Sequence, residues 1–488
     1  MTIQTRIDAG GTGEGMTDGT IDTLLHGATI ITMDTDRRIL VDGALAIDAG
    51  RIVAVGPSAE VRATWRAHRT VDVSGRIITP GLINAHVHIT GDPLTRGFMP
   101  DTVDYRTTDN FLKWVLPRYL SHGPADEHVS ARLAALEMLK CGITCFVEAG
   151  TVRHLDEAVA GLEELGIRAR VGPWTEGRSL DGSGDLAALE RDAIAGMEAA
   201  IAAYPPGEPD RRIAAWPILI GHNVNSDGVW QAAKALADAH GIGLSAHMSP
   251  YRSDTDWYLA NYGRRPIEHL ADLGVLGPNV LLTHLTHLSD SECDLLVAHG
   301  VNAIFCPLAS IKGAFDVAGS GRQPELVARG LTLLLGTDGY DPDLMRALPL
   351  AAGMFKMLRQ DNALFPCHQM LEMVTVDAAR ALGMADRLGA LAVGLRADFV
   401  CHDANRPELR PLINPVNQLV WSADGRGVDS VWVDGECLID GGRSNRIDEQ
   451  ALYREAQAAG AGLIARARLP LESPWPIIGG ESTDTPFS

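Results

Sequence analysis

The chain has 488 residues, 46% hydrophobic and 21% charged, an ordinary globular mixture long enough for about three average domains or one α/β barrel with additions; a small single module is excluded. It carries 42 Lys and Arg against 62 Asp and Glu, and a formal net charge of −20 repels phosphate backbones and anionic membranes, so no nucleic-acid or membrane partner is expected. The 7 cysteines are odd in number and scattered through apolar runs such as Ile304-Phe305-Cys306, which points to buried thiols in a reducing, cytoplasmic setting; no apolar run reaches the ~18 residues of a membrane span.

Residues 1–20 hold five glycines and no apolar stretch, and read as a flexible tail. From 21 to 78, short alternating runs (Thr29–Met33, Ala44–Asp48, Ile52–Gly56) are broken by turn residues such as Gly50, the pattern of small antiparallel strands. The same texture returns at Ala397–Cys401, Ser430–Gly435 and Glu436–Gly441, so segments 21–78 and 389–445 are expected to build one small β-sandwich together. Residues 446–488 read as one helix followed by a Pro-rich tail.

Between the two ends, in 79–388, helical stretches at 126–140, 155–165, 185–203 and 229–240 alternate with strand-like runs. Eight strands are expected: Ile77–His88, Cys145–Gly150, Arg168–Pro173, Ala214–Gly221, Gly243–Ser249, Asn279–Leu285, Asn302–Pro307 and Leu331–Gly339. Parallel strands each followed by a helix predict an α/β fold with a closed barrel.

Residues able to bind metal fall at the ends of these strands. His86 and His88 close the first, and a period of two puts both imidazoles on one face. His247 ends the fifth, His284 the sixth and Asp338 the eighth. Active sites of such barrels lie at the C-terminal ends of the strands, and five ligand-type residues at four strand ends predict a metal centre there.

Pro80-Gly-Leu-Ile-Asn-Ala-His-Val-His88, Thr283-His-Leu285 and Leu335-Gly-Thr-Asp-Gly339 together resemble the amidohydrolase superfamily, and within it the cytosine deaminase and triazine hydrolase branch. The resemblance runs over roughly 22–440 and includes Gly389–Val400, which in that family returns the chain to the β-sandwich. It implies a distorted (β/α)8 TIM barrel holding one divalent metal through residues matching His86, His88, His247 and Asp338, a small-molecule substrate and a homo-oligomeric assembly. Three imidazoles and a carboxylate suit zinc first, with iron, manganese or cobalt compatible. The catalytic pair implied is Asp338, binding metal through one oxygen and taking the proton of the metal-activated water with the other, and His284, orienting that water or polarising the electrophile. Relatives with two metals bridge them with a lysine, yet no lysine occurs from Cys141 to Trp230, which favours a mononuclear centre. Glu148 is expected to hydrogen-bond behind the ligands and His287 to be structural.

Two departures from the family pattern bear on the substrate. The branch's deaminases place a glutamate three residues after the fifth-strand histidine, where this chain has Pro250, so ring deamination needs another acid such as Asp254 or Asp256. After the seventh strand, Leu308 and Ala309 replace polar residues, and with Phe98, Tyr105, Phe111, Trp114 and Tyr251 on mouth loops they predict an apolar pocket. The first expectation is therefore hydrolysis of the C–N bond of a small amide, urea or (thio)carbamate, for instance a xenobiotic phenylurea herbicide. The alternative is an aminohydrolase or dechlorinase acting on a heteroaromatic ring such as an aminopyrimidine or triazine. A scaffold that has lost its ligands is disfavoured, since all five positions are intact. His222, Asn223, Arg96, Tyr251 and Trp114 are the expected substrate contacts.

Overall fold

The computed structural model describes residues 19–469, 472–473, 475–476 and 478, except 105, 108–109, 180–183 and 209–210. Most of the expected N-terminal tail, Tyr105 and most of the Pro-rich C-terminal tail lie outside the described residues.

Both chain ends contribute to one nine-stranded sheet: β1 (Thr20–Ile31), β2 (Ile39–Asp48), β3 (Arg51–Pro57), β4 (Arg66–Asp72) and β5 (Arg76–Pro80) from one end, with β15 (Phe399–Asp403), β16 (Val428–Val433), β17 (Glu436–Asp440) and β18 (Arg443–Ser444) from the other. The halves join where β15 runs antiparallel to β5. β1 is the branch point, pairing with β2 on one edge and with both β4 and β5 on the other. The sheet folds over its own core, in which Leu25, Ile30, Leu45, Ile52, Phe399 and Trp432 meet.

The chain between the halves supplies the parallel strands of an α/β barrel. One sheet holds β6 (Leu82–Val87), β7 (Ile143–Glu148), β8 (Arg168–Val171) and β9 (Ile213–Ala215). The other holds β10 (Ile218–Gly221), β11 (Leu244–Met248), β12 (Val280–His284), β13 (Asn302–Phe305) and β14 (Leu333–Leu335). An isolated parallel bridge between Val87 and Asp338 connects the first strand to the last. The four expected helices are present as Pro124–Lys140, Leu155–Leu165, Leu186–Ala203 and Asp227–His240.

Two expected strands are corrected. Ile77–His88 is two strands, because β5 pairs in the outer sheet and β6 in the barrel, with Gly81 as the joint. A Cβ on Gly81 would lie 2.0 Å from Thr144 Oγ1, so only glycine lets the chain pass from one sheet to the other here. Ala214–Gly221 is likewise interrupted at Trp216-Pro217, since proline has no N–H for the ladder. The Ser58–Thr64 helix and β4 have no counterpart among the expected elements.

Barrel and outer sheet are fastened by buried charge. Arg168 on β8 lies 3.2 Å from Asp398 and 2.8 Å from Asp434, and Arg212 adds a 2.9 Å bond to Asp434. Burial alone would favour a neutral Arg168, but the two carboxylates outweigh it and hold the guanidinium more firmly charged than usual. The helix Glu449–Ala467 closes the molecule over Pro124–Lys140, and Gly460 there abuts the Leu94 carbonyl so closely that a Cβ would lie 2.5 Å away. Among the described residues no helix is long and apolar enough to cross a membrane.

Candidate active site

His86, His88 and His247 are each held by one ring nitrogen, leaving the other to point inward. The Ile220 carbonyl, which can only accept, lies 2.8 Å from His247 Nδ1, so Nδ1 carries the proton and Nε2 presents a lone pair. Thr283 Oγ1 sits 3.1 Å from His86 Nδ1, and Thr151 Oγ1 3.2 Å from His88 Nδ1. Thr151 in turn donates to Glu148 at 2.8 Å, the supporting role expected of that buried acid.

The free nitrogens converge. His247 Nε2 and His88 Nε2 are 3.3 Å apart, Asp338 Oδ1 is 3.2 Å from His88 Nε2, and His86 Nε2 is buried with no hydrogen-bond partner among the described residues. A tetrahedron with 2.0–2.1 Å bonds to its centre has edges of about 3.3 Å, so this spacing fits a zinc-sized ion. Burial drives His86 and His247 well below the ordinary imidazole range and His284 down to about 4, which keeps them neutral and able to ligate. For His88, burial pulls down but the bond and charge of Asp338 prevail and hold it up; Asp338, despite burial, stays well below the usual carboxylate range beside these imidazoles. His86, His88 and His247 thus form a donor set that fits a divalent metal; His86 also groups with His284 and Asp338, whose nearer atoms, His284 Nε2 and Asp338 Oδ2, are 3.8 Å apart.

The backbone under these groups is unusual. His222, His284 and Asp338 all have positive φ, at 51°, 80° and 63°, each costing of order 1 kcal/mol or more for a side chain with a Cβ. The surrounding bonds hold them in place: Thr337 and Asp338 donate their N–H groups to the His86 carbonyl at 3.0 Å, and Asn84 Nδ2 reaches Thr337 Oγ1 at 2.7 Å. Gly221, with φ +79°, lies so close to His247 that a Cβ would be 2.0 Å from the His247 carbonyl oxygen. Gly221→Ala is therefore expected to displace His247 and weaken metal affinity about 10- to 100-fold, read by titration against a chelating dye; an unchanged affinity would show that His247 tolerates the shift.

Above the ligands lies a cavity of about 120 Å³ walled by Phe111, Trp174, Tyr251, Phe315 and Tyr340 and edged by Asp92, Arg118, Tyr119, Thr151 and His222. Of the expected substrate contacts, His222 and Tyr251 are on this wall, their rings parallel within 5° at 6.4 Å. The other three are not brought to it. Arg96 is held by Glu137 in a two-pronged ion pair at 2.7 Å and lines a neighbouring groove beyond Tyr340. Trp114 packs inward on Phe98 at 5.6 Å, because it lies not on a loop but on the helical turn Phe111–Val115, which turns it onto a hydrophobic cluster. Asn223 follows His222 without reaching the cavity. Leu308 and Ala309 also lie off the wall, in the helix Pro307–Lys312, so they do not make the pocket apolar; Phe111, Phe315 and Trp174 do.

Pro250 and His287 line a separate groove behind Tyr251 and Phe315, and His287 donates its N–H to the Ser249 carbonyl at 3.3 Å. Asp254 is buried and accepts from His222 Nδ1 at 2.8 Å and from Ser249 N–H at 3.1 Å, whereas Asp256 is exposed. Asp92, Arg118, Tyr119, Trp174, Phe315 and Tyr340 left no mark in the sequence, for they lie on loops or on helices of 4 or 5 residues, too short to show a period; Thr151, three residues after Glu148 at a strand end, carried the one usable signal.

A further buried acid, Glu127, accepts from Thr90, two residues beyond His88. Burial pushes Glu127 from an ordinary 4.5 up to about 7, against the pull of Thr90 Oγ1 and the Arg153 N–H. Below about pH 4.5 folded and unfolded chains both carry this proton; between 4.5 and 7 only the folded chain does, so stability falls as pH rises, by up to about 3 kcal/mol. Glu127→Gln, which resembles the protonated acid, is expected to flatten this slope in urea denaturation at pH 5 and pH 8, and parallel slopes would exclude the assignment.

Residues 77–438 match the Amidohydrolase family, and residues 43–67 match the imidazolonepropionase-like composite domain of bacteria. The chain is 32% identical to a 5-methylthioadenosine/S-adenosylhomocysteine deaminase of Desulforudis audaxviator over 86% of its own length and 95% of the relative's. It is 30% identical to a 5'-deoxyadenosine deaminase of Methanosarcina acetivorans over 91% of its length and 99% of the relative's. Among solved structures, an adenosine deaminase from Xanthomonas campestris with bound zinc superposes with a TM-score of 0.82 at 26% identity, covering 91% of this chain and 99% of that one. The atrazine chlorohydrolase TrzN of Arthrobacter aurescens TC1, complexed with zinc, superposes at 0.81 with 24% identity, covering 90% and 100%, and shares the fold.

Proposed function

Since the chain belongs to the amidohydrolase family, a family of metal-dependent hydrolases, we propose that it is a mononuclear, zinc-dependent aminohydrolase that releases ammonia from an amino-substituted heteroaromatic ring. The observation that carries this reading is a cavity with flat aromatic walls standing directly over three imidazoles and Asp338. The similarity over nearly the full length to deaminases named for 5-methylthioadenosine, S-adenosylhomocysteine and 5'-deoxyadenosine supports the same choice.

His86, His88, His247 and Asp338 Oδ1 would hold the ion, which when bound supplies a Lewis acid and lowers the pKa of its water towards ~7. Asp338 Oδ2 accepts the proton of the attacking water and returns it to the departing nitrogen. His284, kept neutral by burial, stands 3.8 Å from that oxygen and orients the attacking group. Phe111, Trp174, Tyr251 and Phe315 exclude water and hold the ring. Asp254 accepts the His222 Nδ1 proton, leaving Nε2 towards the mouth, where the imidazolium form of the ring would give its Nε2 proton to a ring nitrogen. In this reading the pair stands in for the glutamate replaced by Pro250.

A second reading, hydrolysis of an amide, urea or carbamate, is favoured by Pro250 alone, since Leu308 and Ala309 no longer speak for it. The two are separated by ammonia or amine release from zinc-loaded protein with 5'-deoxyadenosine, adenosine and cytosine in one panel, and phenylureas and carbamates in another. Turnover confined to the ring panel is expected; turnover confined to the second would overturn the proposal.

A further inference from the structure

Arg118 and Asp92 form a charge pair within the cavity wall that takes no part in the steps above. Arg118, in the helix Leu116–Leu120, is 5% exposed, and its Nη1 donates to Asp92 Oδ1 at 3.0 Å and to Thr95 Oγ1 at 3.4 Å. Its Nε is buried and has no hydrogen-bond partner among the described residues. Asp92 is fully engaged, since its Oδ2 accepts the Tyr119 hydroxyl at 2.9 Å. Gly339, the neighbour of Asp338, leaves room for this carboxylate: a Cβ there would lie 2.3 Å from Asp92 Oδ2.

A buried guanidinium whose charge is balanced but whose donors are not all used lacks one thing, a hydrogen-bond acceptor. Asp92 already neutralises it, so an anionic group placed beside it would bury a charge that Arg118 cannot compensate, whereas a neutral oxygen uses the spare donors without that cost. Since the same wall carries His88 and Asp338, the acceptor lies on the reacting ring or directly attached to it. We infer that Arg118 selects substrates whose reacting ring bears a neutral oxo group, and that Asp92 is the positioning residue that holds the guanidinium for it. This inference rests on the ring-hydrolase reading and narrows its substrate class.

The test is calorimetric binding to zinc-loaded protein of two pairs that differ by one oxo group, isoguanosine against adenosine and cytosine against 4-aminopyrimidine, with ammonia release followed in parallel. The wild type is expected to bind the oxo member about 10- to 100-fold more tightly. Arg118→Met is expected to abolish the preference, and Arg118→Lys, which keeps the charge and fold but not the fork of donors, to reduce it. Equal binding of both members by the wild type, no binding of either, or a preference that survives in both variants would overturn the inference. So would a preference for S-adenosylhomocysteine over 5'-methylthioadenosine that vanishes in Arg118→Met, which would assign Arg118 to a carboxylate. Oxo-selective binding without ammonia release would instead sink the aminohydrolase reading and leave the role of Arg118 standing.

Discussion

Asp338→Asn is expected to lower kcat by about 10²- to 10⁴-fold while leaving the fold intact. Asparagine is nearly isosteric and keeps an oxygen for the ion, but it cannot accept a proton, and it loses the charge that holds His88 through a 3.2 Å contact. Two effects should therefore separate in the data. The zinc content of purified protein should fall, and saturating zinc should restore the metal but not the rate. Full recovery of kcat on metal saturation would show that Asp338 acts as a ligand only and that the proton goes elsewhere. The substitution also tests the backbone, because Asp338 sits at a φ of 63°, a region that asparagine tolerates as well as aspartate does. A fall in activity can thus be read from the side chain without a change in strain.

Asp398→Ala is expected to destabilise the protein by about 3 kcal/mol or more, seen as a lowered urea midpoint. Asp398 and Arg168 are each 3% exposed, and Asp398 Oδ1 also accepts the Asp434 N–H at 2.9 Å. Removing the carboxylate leaves the guanidinium buried with half its compensation, at the joint between β8 of the barrel and β15 of the outer sheet. The double replacement Arg168→Met with Asp398→Leu is expected to cost less than the single one, because desolvated charge disappears together with its partner. An Asp398→Ala midpoint equal to that of the wild type would mean that Asp434 alone suffices.

Much of the site was legible along the chain. His86 and His88 two apart on a strand, followed by His247, His284 and Asp338 at later strand ends, report their meeting because a parallel barrel brings all C-terminal strand ends to one rim. The helices of 126–140, 155–165, 185–203 and 229–240 were equally plain, since a helical stretch needs only its own spacing, whereas others such as Ser58–Thr64 were not expected. What stayed hidden were the places where a strand changes partner. Gly81 separates two sheets, and its need is set by Thr144, sixty-odd residues away; Pro217 interrupts a strand whose composition is otherwise continuous.

Substrate contacts divided along the same line. His222 reached the cavity because a strand end carries it there, whereas Arg96 on a loop and Trp114 on the short helical turn Phe111–Val115 are placed by what they find to pack against: Glu137 for one, Phe98 for the other. The support that Asp254 gives His222, and the pairing of Arg118 with Asp92, join residues about 30 positions apart whose types and spacing carry no signature. The barrel, and the three histidines and the aspartate that its strands carry to one rim, could be read along the chain, because strand period and strand polarity are local properties that topology converts into position. Which polar groups line the cavity and which are tied up elsewhere depended on the folded loops, because hydrogen bonds and ion pairs form between whichever groups those loops bring within about 3 Å.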